Sequence, residues 1–535
     1  MNFYLRVCIL LISLQTFQSI GQDYFNWSFS FGANPGIAYD IIQTMDGGYA
    51  VTGYIYNDTT EEDVIIYKLD ALGAIEWQVT YGGAKRDIGR AILEDTTGNI
   101  FITGYGNSFN DGDYDLIYMK LDPDGNVLWK KILQGDGDDH GWHLTLDKDS
   151  SSVLITGYTV SFGPGIGSNM ILKINQDGDT LSTRTYGGPV RELGHFIQSV
   201  ASGYLVCGHG TSYSATGDEE VYLFKVDNDF NPQWGRSYGS LGREEGNAIG
   251  VFSTGEMVIA GVTSDPVGGR DGEAHGKDIL LIKINTFGDT IWSKRLGSID
   301  DDDVLDAVVN ESDEIIVTGI TTGFTDDRDI IYIKLDSDGN IITARVIDGM
   351  EREAAYGICN TNDGGFAIYG YTTSFGLTSE QFVTKHDSEA TLNCNEIDIT
   401  PFNINVAPRM ATGLMVEQPD WNWFEAPGTA LPGELISNLK CGLTGLSEET
   451  TTFDALVYPN PSTGMLTIEL PNDLTEAVTY RIFDIRGQLI LDGSINGDDH
   501  QTQIVDLSHF EDGIYLIVLR TSTGQRAILK TTLLR

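Results

Sequence analysis

Apolar positions between residues 36 and 386 come in short alternating runs broken by Gly, Asn and Asp, without the three-to-four-residue spacing of an amphipathic helix. Residues 88–93, 100–105, 115–121 and 127–133 each read as a strand. Thr97-Gly98-Asn99 and Pro123-Asp124-Gly125-Asn126 between them supply the positive-φ residues that tight hairpins require. This four-strand unit then recurs. Thr52-Gly53-Tyr54, Thr103-Gly104-Tyr105, Thr156-Gly157-Tyr158, Cys207-Gly208-His209, Ala260-Gly261-Val262, Thr318-Gly319-Ile320 and Tyr369-Gly370-Tyr371 are copies of one strand, their glycines 51 to 58 residues apart. Lys68, Lys120, Lys173, Lys225, Lys283, Lys334 and Lys385 keep step with them, each two residues before an Asp or Asn. Seven such units predict an all-β chain built as a seven-bladed β-propeller, one repeat per blade.

The register also predicts how the ring shuts. A fourth strand opens nine residues after each lysine except the last, where Cys394 stands and no strand pattern follows. The missing strand is found at the other end, in Trp27-Ser28-Phe29-Ser30-Phe31, which is expected to complete the final blade and leave no open edge.

Beyond the repeats, residues 391–453 hold Pro401, Pro408, Pro419, Pro427 and Pro432, then Trp421-Asn422-Trp423-Phe424 and a polar linker, 444–452. The aromatics are expected to pack this segment against the propeller, although Trp421 and Trp423 could also stack on a sugar. From 454 to 535 a new alternation begins at Tyr458-Pro459-Asn460-Pro461-Ser462-Thr463-Gly464 and ends at Lys530-Thr531-Thr532-Leu533-Leu534-Arg535, predicting a small C-terminal β-sandwich.

Residues 1–21 carry Arg6, an apolar run over 7–14 and Ser19-Ile20-Gly21, the layout of a signal peptide cleaved before Gln22. The expected division is therefore a signal peptide at 1–21, a propeller at 22–390, the Pro/Trp segment at 391–453 and the tail at 454–535. No stretch approaches the roughly 20 apolar residues of a transmembrane segment. With 33 Lys+Arg against 77 Asp+Glu the net charge is −44, which argues against nucleic acid and anionic membrane as partners. Cys207 and Cys359 fall in apolar strands as small hydrophobes, whereas Cys394 and Cys441 flank an irregular segment and are a candidate disulfide.

These units resemble the bacterial β-propeller repeat family, whose members combine a Thr-Gly-Tyr strand, a Lys-x-Asp strand and a Trp strand ending in Tyr-Gly-Gly, as at Tyr81-Gly82-Gly83 and Tyr186-Gly187-Gly188. The resemblance implies a fold and no particular activity. The tail resembles the type A C-terminal sorting domains of the Bacteroidetes type IX secretion system. That resemblance implies a partnership of residues 454–535 with the secretion machinery, removal of the tail, and a protein released or attached at the outer cell surface.

No nucleophile elbow, phosphate loop or metalloprotease helix is present, and the Asp/Gly/Trp spacing fits neither quinoprotein docking repeats nor sialidase Asp-boxes. The loops entering the first strands align Asp87, Asp139, Glu192, Glu244, Asp303 and Glu353, with Gly36 in the seventh place. This column is expected either to pair with the seven lysines in a blade-to-blade network or to face a ligand. The same face carries the long loops 57–63, 107–115, 210–220, 263–278 and 321–329. Two carboxylate groups there, Asp136, Asp138 and Asp139, and Asp300, Asp301, Asp302 and Asp303, are candidate Ca²⁺ ligands; no other cofactor is implied. His140, His143 and His195 align near this face. Two functions stay open: a secreted binding or adhesion module for a glycan or protein, and an enzyme degrading polysaccharide or peptide with carboxylates of the acidic face.

Overall fold

Short apolar strands joined by Gly- and Asp-containing turns give each repeat four antiparallel strands. The first repeat forms Gly36–Gln43, Tyr49–Asn57, Glu61–Leu69 and Ile75–Tyr81. In the computed structural model, which describes residues 27–31, most of 35–398, the strands between 402 and 441, and most of 455–534, seven such sheets close into a propeller. The first strands of neighbouring blades pack on one another around the ring, and Glu353–Asn360 of the seventh blade returns to Gly36–Gln43 of the first. They therefore line the centre. Trp27–Phe31 pairs antiparallel with Glu380–His386, so the N-terminal strand does complete the last blade.

Blades are held face to face by apolar residues from both sides of each junction. Val64, Ile66 and Tyr81 of the first blade share one buried cluster with Ile102, Ile117 and Met119 of the second. The recurrent Gly/Trp pair has a specific use here. Gly125 turns at φ 83° directly over the indole of Trp77 in the preceding blade, where a Cβ would lie 2.7 Å from the ring, and Trp77 Nε1 donates to Pro123 O at 2.9 Å. Trp129 repeats this beneath Gly178.

Each blade nevertheless has five strands, because the expected separate segment is part of the ring. Glu396–Asp398, Phe402–Asn405, Arg409–Ala411, Met415–Glu417, Asn422–Glu425 and Ala430–Leu431 pair in turn with the outermost strands of blades six, five, four, three, two and one. Ser437–Cys441 ends the circuit on Trp27–Phe31 of the seventh blade. A belt of short strands thus runs once around the propeller against the direction of the blades and covers all seven outer edges. Unpaired edge N–H and C=O groups template aggregation, which gives the belt its physical role. Trp423 pairs through its backbone with Leu133. Residues 1–21, Cys394, Trp421 and the run 444–452 lie outside the described residues, and Cys441 is described only in its backbone, so the candidate disulfide does too.

The tail, described by itself, has two sheets: Leu456–Tyr458, Met465–Glu469 and Thr502–Asp506 in one, Val478–Asp484, Leu489–Ile495, Gly513–Thr521 and Arg526–Leu533 in the other. Leu466, Ile468, Ile482, Val505 and Ile517 fill the space between them. Its opening motif grips its last strand. The Asn460 amide donates to Lys530 O and its carbonyl accepts from Thr532 N, both at 2.9 Å, and Leu534 N donates to Ser462 O at 2.8 Å.

Candidate functional site

Every first strand slips by one residue against its neighbour, and the slipped residues are Tyr39, Arg90, Trp142, His195, Asn247, Leu305 and Tyr356. A β-bulge re-aims one side chain out of the regular alternation. The cause lies across the ladder. The bulge pushes a backbone carbonyl onto the glycine of each Thr-Gly-Tyr copy, so that a Cβ on Gly53 would stand 2.0 Å from Ile37 O. The same contact recurs in all seven blades.

Since the first strands line the ring's centre, the slipped side chains meet there. Tyr356 and Tyr39 pack edge to face with ring centres 5.1 Å apart. The Arg90 guanidinium lies 4.2 Å from the Tyr39 ring and 4.1 Å from that of Trp142. Trp142 and His195 follow at 5.2 Å, His195 Nδ1 meets Asn247 Oδ1 at 3.2 Å, and Asn247 Nδ2 donates to Val304 O at 2.7 Å. A chain of contacts therefore runs from the seventh blade round to the sixth. A second tier comes from the third residues of the Thr-Gly-Tyr copies. Tyr105 stacks on His140 at 3.9 Å, Tyr158 lies 4.6 Å from His140, and His209 packs edge to face on His195 at 4.8 Å.

Burial dominates the titration of the histidines at the ring's centre. Burial, aided by the Arg90 charge, holds His140 down to about 3. Burial also lowers His195 to about 4 and His209 to about 2, with Arg191 contributing at both. Trp142 Nε1, His140 Nδ1 and His209 Nδ1 are buried without a hydrogen-bond partner among the described residues. Buried polar atoms are nearly always satisfied, so these three leave hydrogen-bonding capacity at the ring's centre.

The carboxylate column lies elsewhere. Asp87 accepts from Gly83 N at 2.8 Å and from the Ser108 hydroxyl; Glu353 accepts from Thr372 Oγ1 at 2.6 Å and from the Ser374 hydroxyl. These acids clamp the entering loop to the second-to-third-strand loop of their own blade. In the sixth blade the member is Asp302, fully buried and bonded to Ser298 N, and not Asp303, which is half-buried beside Lys277. Nor does the column pair with the lysines. Third strands start on this face, and the lysine sits near the far end, seven residues after Glu61 for Lys68. On the opposite face Lys68 meets the turn acid Asp46 and, in the fourth strand, Glu76, while Lys283 meets Glu256 at 3.0 Å and Lys385 meets Asp363 at 2.8 Å, all within their own blades.

The candidate Ca²⁺ ligands are dispersed. Asp136 is exposed, Asp138 Oδ1 accepts from Tyr114 N at 3.0 Å, and Asp139 is buried against the Ser161 hydroxyl. Asp300 is exposed and Asp301 accepts from Lys277 N at 2.8 Å, while Asp302 and Asp303 point to the separate partners given above. Among the described residues no group of three or more His, Cys, Asp or Glu could hold a metal ion. His143 stacks on Phe196 at 3.9 Å, in contact with the neighbouring blade and apart from His140. The slipped residues other than His195 were missed in the sequence because one residue in a strand has no composition of its own. Their signal is positional: each lies three residues after the column Asp87, Asp139, Glu192, Glu244, Asp302 and Glu353, or after Gly36.

Residues 456–531 match the family model described as a secretion system C-terminal sorting domain. The chain thus carries a type IX sorting domain and is a secreted or cell-surface protein. No curated protein matches it. Among solved structures it is similar to the extracellular domain of a hybrid two-component system protein from B. thetaiotaomicron, at 10% identity over 93% of this chain and 72% of that one, with a TM-score of 0.24. No helix among the described residues is long and apolar enough to cross a membrane.

Proposed function

We propose that the propeller is a binding module of the outer cell surface or its surroundings, and that it takes a glycan at the mouth of the central channel. The observation that supports this is the arc from Tyr356 through Tyr39, Arg90 and Trp142 to His195, with its buried unpartnered Trp142 Nε1 and His140 Nδ1. A sugar ring offers C–H faces to stack on aromatic planes and hydroxyls to satisfy isolated donors and acceptors. The alternative is an enzyme that degrades polysaccharide or peptide with carboxylates of the acidic face; of those carboxylates, Asp87 and Glu353 are engaged in loop contacts.

The test is a glycan array probed with the full chain and with Trp142→Ala. The expected result is binding to one or more glycans, weakened by about tenfold or more in the variant, as for loss of a buried aromatic anchor. Equal binding by both proteins would move the site away from the channel mouth.

A further inference from the structure

The centre of the ring holds a cation without a counter-ion among the described residues. In a chain with 77 acids to 33 Lys+Arg, carboxylate partners are abundant. Arg86 has Glu62, Arg243 has Glu219 and Glu245, Arg295 has Asp278, Arg345 has Glu396 and Asp398, and Arg352 has Asp327. Arg90 has none: among the described residues its guanidinium makes no ion pair and no hydrogen bond, only the two ring contacts to Tyr39 and Trp142.

Those two contacts decide what the group can do. With one aromatic ring within 4.2 Å and another within 4.1 Å, the guanidinium is held between two apolar surfaces, and its N–H donors are left to its rim. A donor fork of this kind suits a planar, two-oxygen acceptor, which a carboxylate is. Holding the side chain in advance also lowers the entropy lost when such an acceptor arrives. The surroundings agree. Half-buried Glu245 and Asp303 on the same face are occupied by Arg243 and Lys277, and Arg191 adds positive charge near His195 and His209.

We infer that Arg90 is the anchor for the carboxylate of an acidic sugar, and that the ligand class is a hexuronate-bearing oligosaccharide whose ring packs beside Trp142 and Tyr105. This rests on the glycan reading above and narrows it. Tyr105 already stacks on His140 and lies 6.2 Å from Trp142, so a ring carrying the carboxylate would meet an aromatic wall next to the guanidinium.

The experiment uses the full chain and three probe sets in calorimetric titration: oligomers of galacturonate, of guluronate and mannuronate, and of glucuronate-containing glycans; the same oligomers with carboxyls reduced to alcohols; and hexaglutamate. At least one uronate oligomer is expected to bind, with its reduced form about tenfold weaker or more, the usual worth of a charge-assisted hydrogen bond. Arg90→Gln should abolish that difference while leaving the weaker binding of the reduced form, and Arg90→Lys should restore only part of it. Reduced oligomers binding as tightly as their parents, or hexaglutamate binding more tightly than any uronate, would overturn the inference. In the first case the glycan reading survives. Failure of every sugar, acidic and neutral, would remove both. The parent-against-reduced comparison needs no variant, so a misfolded Arg90→Gln protein leaves the test intact.

Discussion

Gly104 stands so close to Ile88 across the second blade that a Cβ on it would lie 1.9 Å from the Ile88 carbonyl oxygen. That oxygen is brought there by the bulge that turns Arg90 toward the channel. Gly104→Ala must therefore either flatten the bulge or part the strands. Overpacking of this kind costs about 1–3 kcal/mol, and here it should also weaken ligand binding, because Arg90 loses its aim. Thermal melting and titration of the same variant check both effects. A variant that melts and binds like the parent would uncouple the glycine from the site.

The belt predicts that a chain ending at residue 390 exposes seven strand edges. Each lost ladder bond contributes about 0.5–1.5 kcal/mol net, so the loss should reach at least several kcal/mol and be accompanied by self-association. Size-exclusion chromatography with thermal melting tests this. Deleting 27–31 should act in the same direction, since that strand lies between Glu380–His386 and Ser437–Cys441. A monomeric truncation with unchanged melting would deny the belt any part in stability.

Stability should also depend on pH in two opposed windows. Glu353 is pushed up to about 7 by burial, with the neighbouring Asp329 carboxylate adding to it, and the two share a hydrogen bond. Its folded value lies above the unfolded one, so its contribution is complete below about pH 4.5 and is lost as pH rises through about 7. Glu353→Gln, which can donate to Asp329 at any pH, should melt several degrees higher than the parent at about pH 8.5 and show no gain at about pH 4.5. His195 and His143 work the other way. Burial lowers both to about 4, so their contribution is complete above about pH 6.5 and is lost as pH falls toward 4. Melting curves across pH 4–9 separate the two limbs.

Calcium and magnesium at matched ionic strength should shift the melting temperature equally. Asp136, Asp138, Asp139, Asp300, Asp301, Asp302 and Asp303 do not converge, so cations would act on this rim by screening alone. A calcium-specific rise that Asp301→Asn removes would show that these carboxylates do gather around a bound ion.

Export should depend on the grip between the two ends of the tail. Deleting 456–531 should retain the protein inside the outer membrane. Asn460→Ala, which removes both bonds to the last strand, should lower the exported fraction several-fold in a fractionation assay. Full export of the deletion would give sorting to another segment.

Seven blades, the closing role of Trp27–Phe31 and the sandwich tail were legible in the sequence, because alternation, turn chemistry and repeat length are local properties that recur in register. The belt was not. Its strands are two to five residues long, and their pairing partners lie tens to hundreds of residues away, so no local pattern announces them. The charged columns misled for a related reason: composition showed that lysines and acids recur, but only the direction of the third strand decides that Lys68 meets Asp46 on one face while Asp87 clamps a loop on the other. The channel mouth depended most on tertiary structure. Each blade contributes one slipped residue, and Tyr39, Arg90 and Trp142 come together only because three consecutive blades pack side by side, which puts the Arg90 guanidinium about 4 Å from both rings.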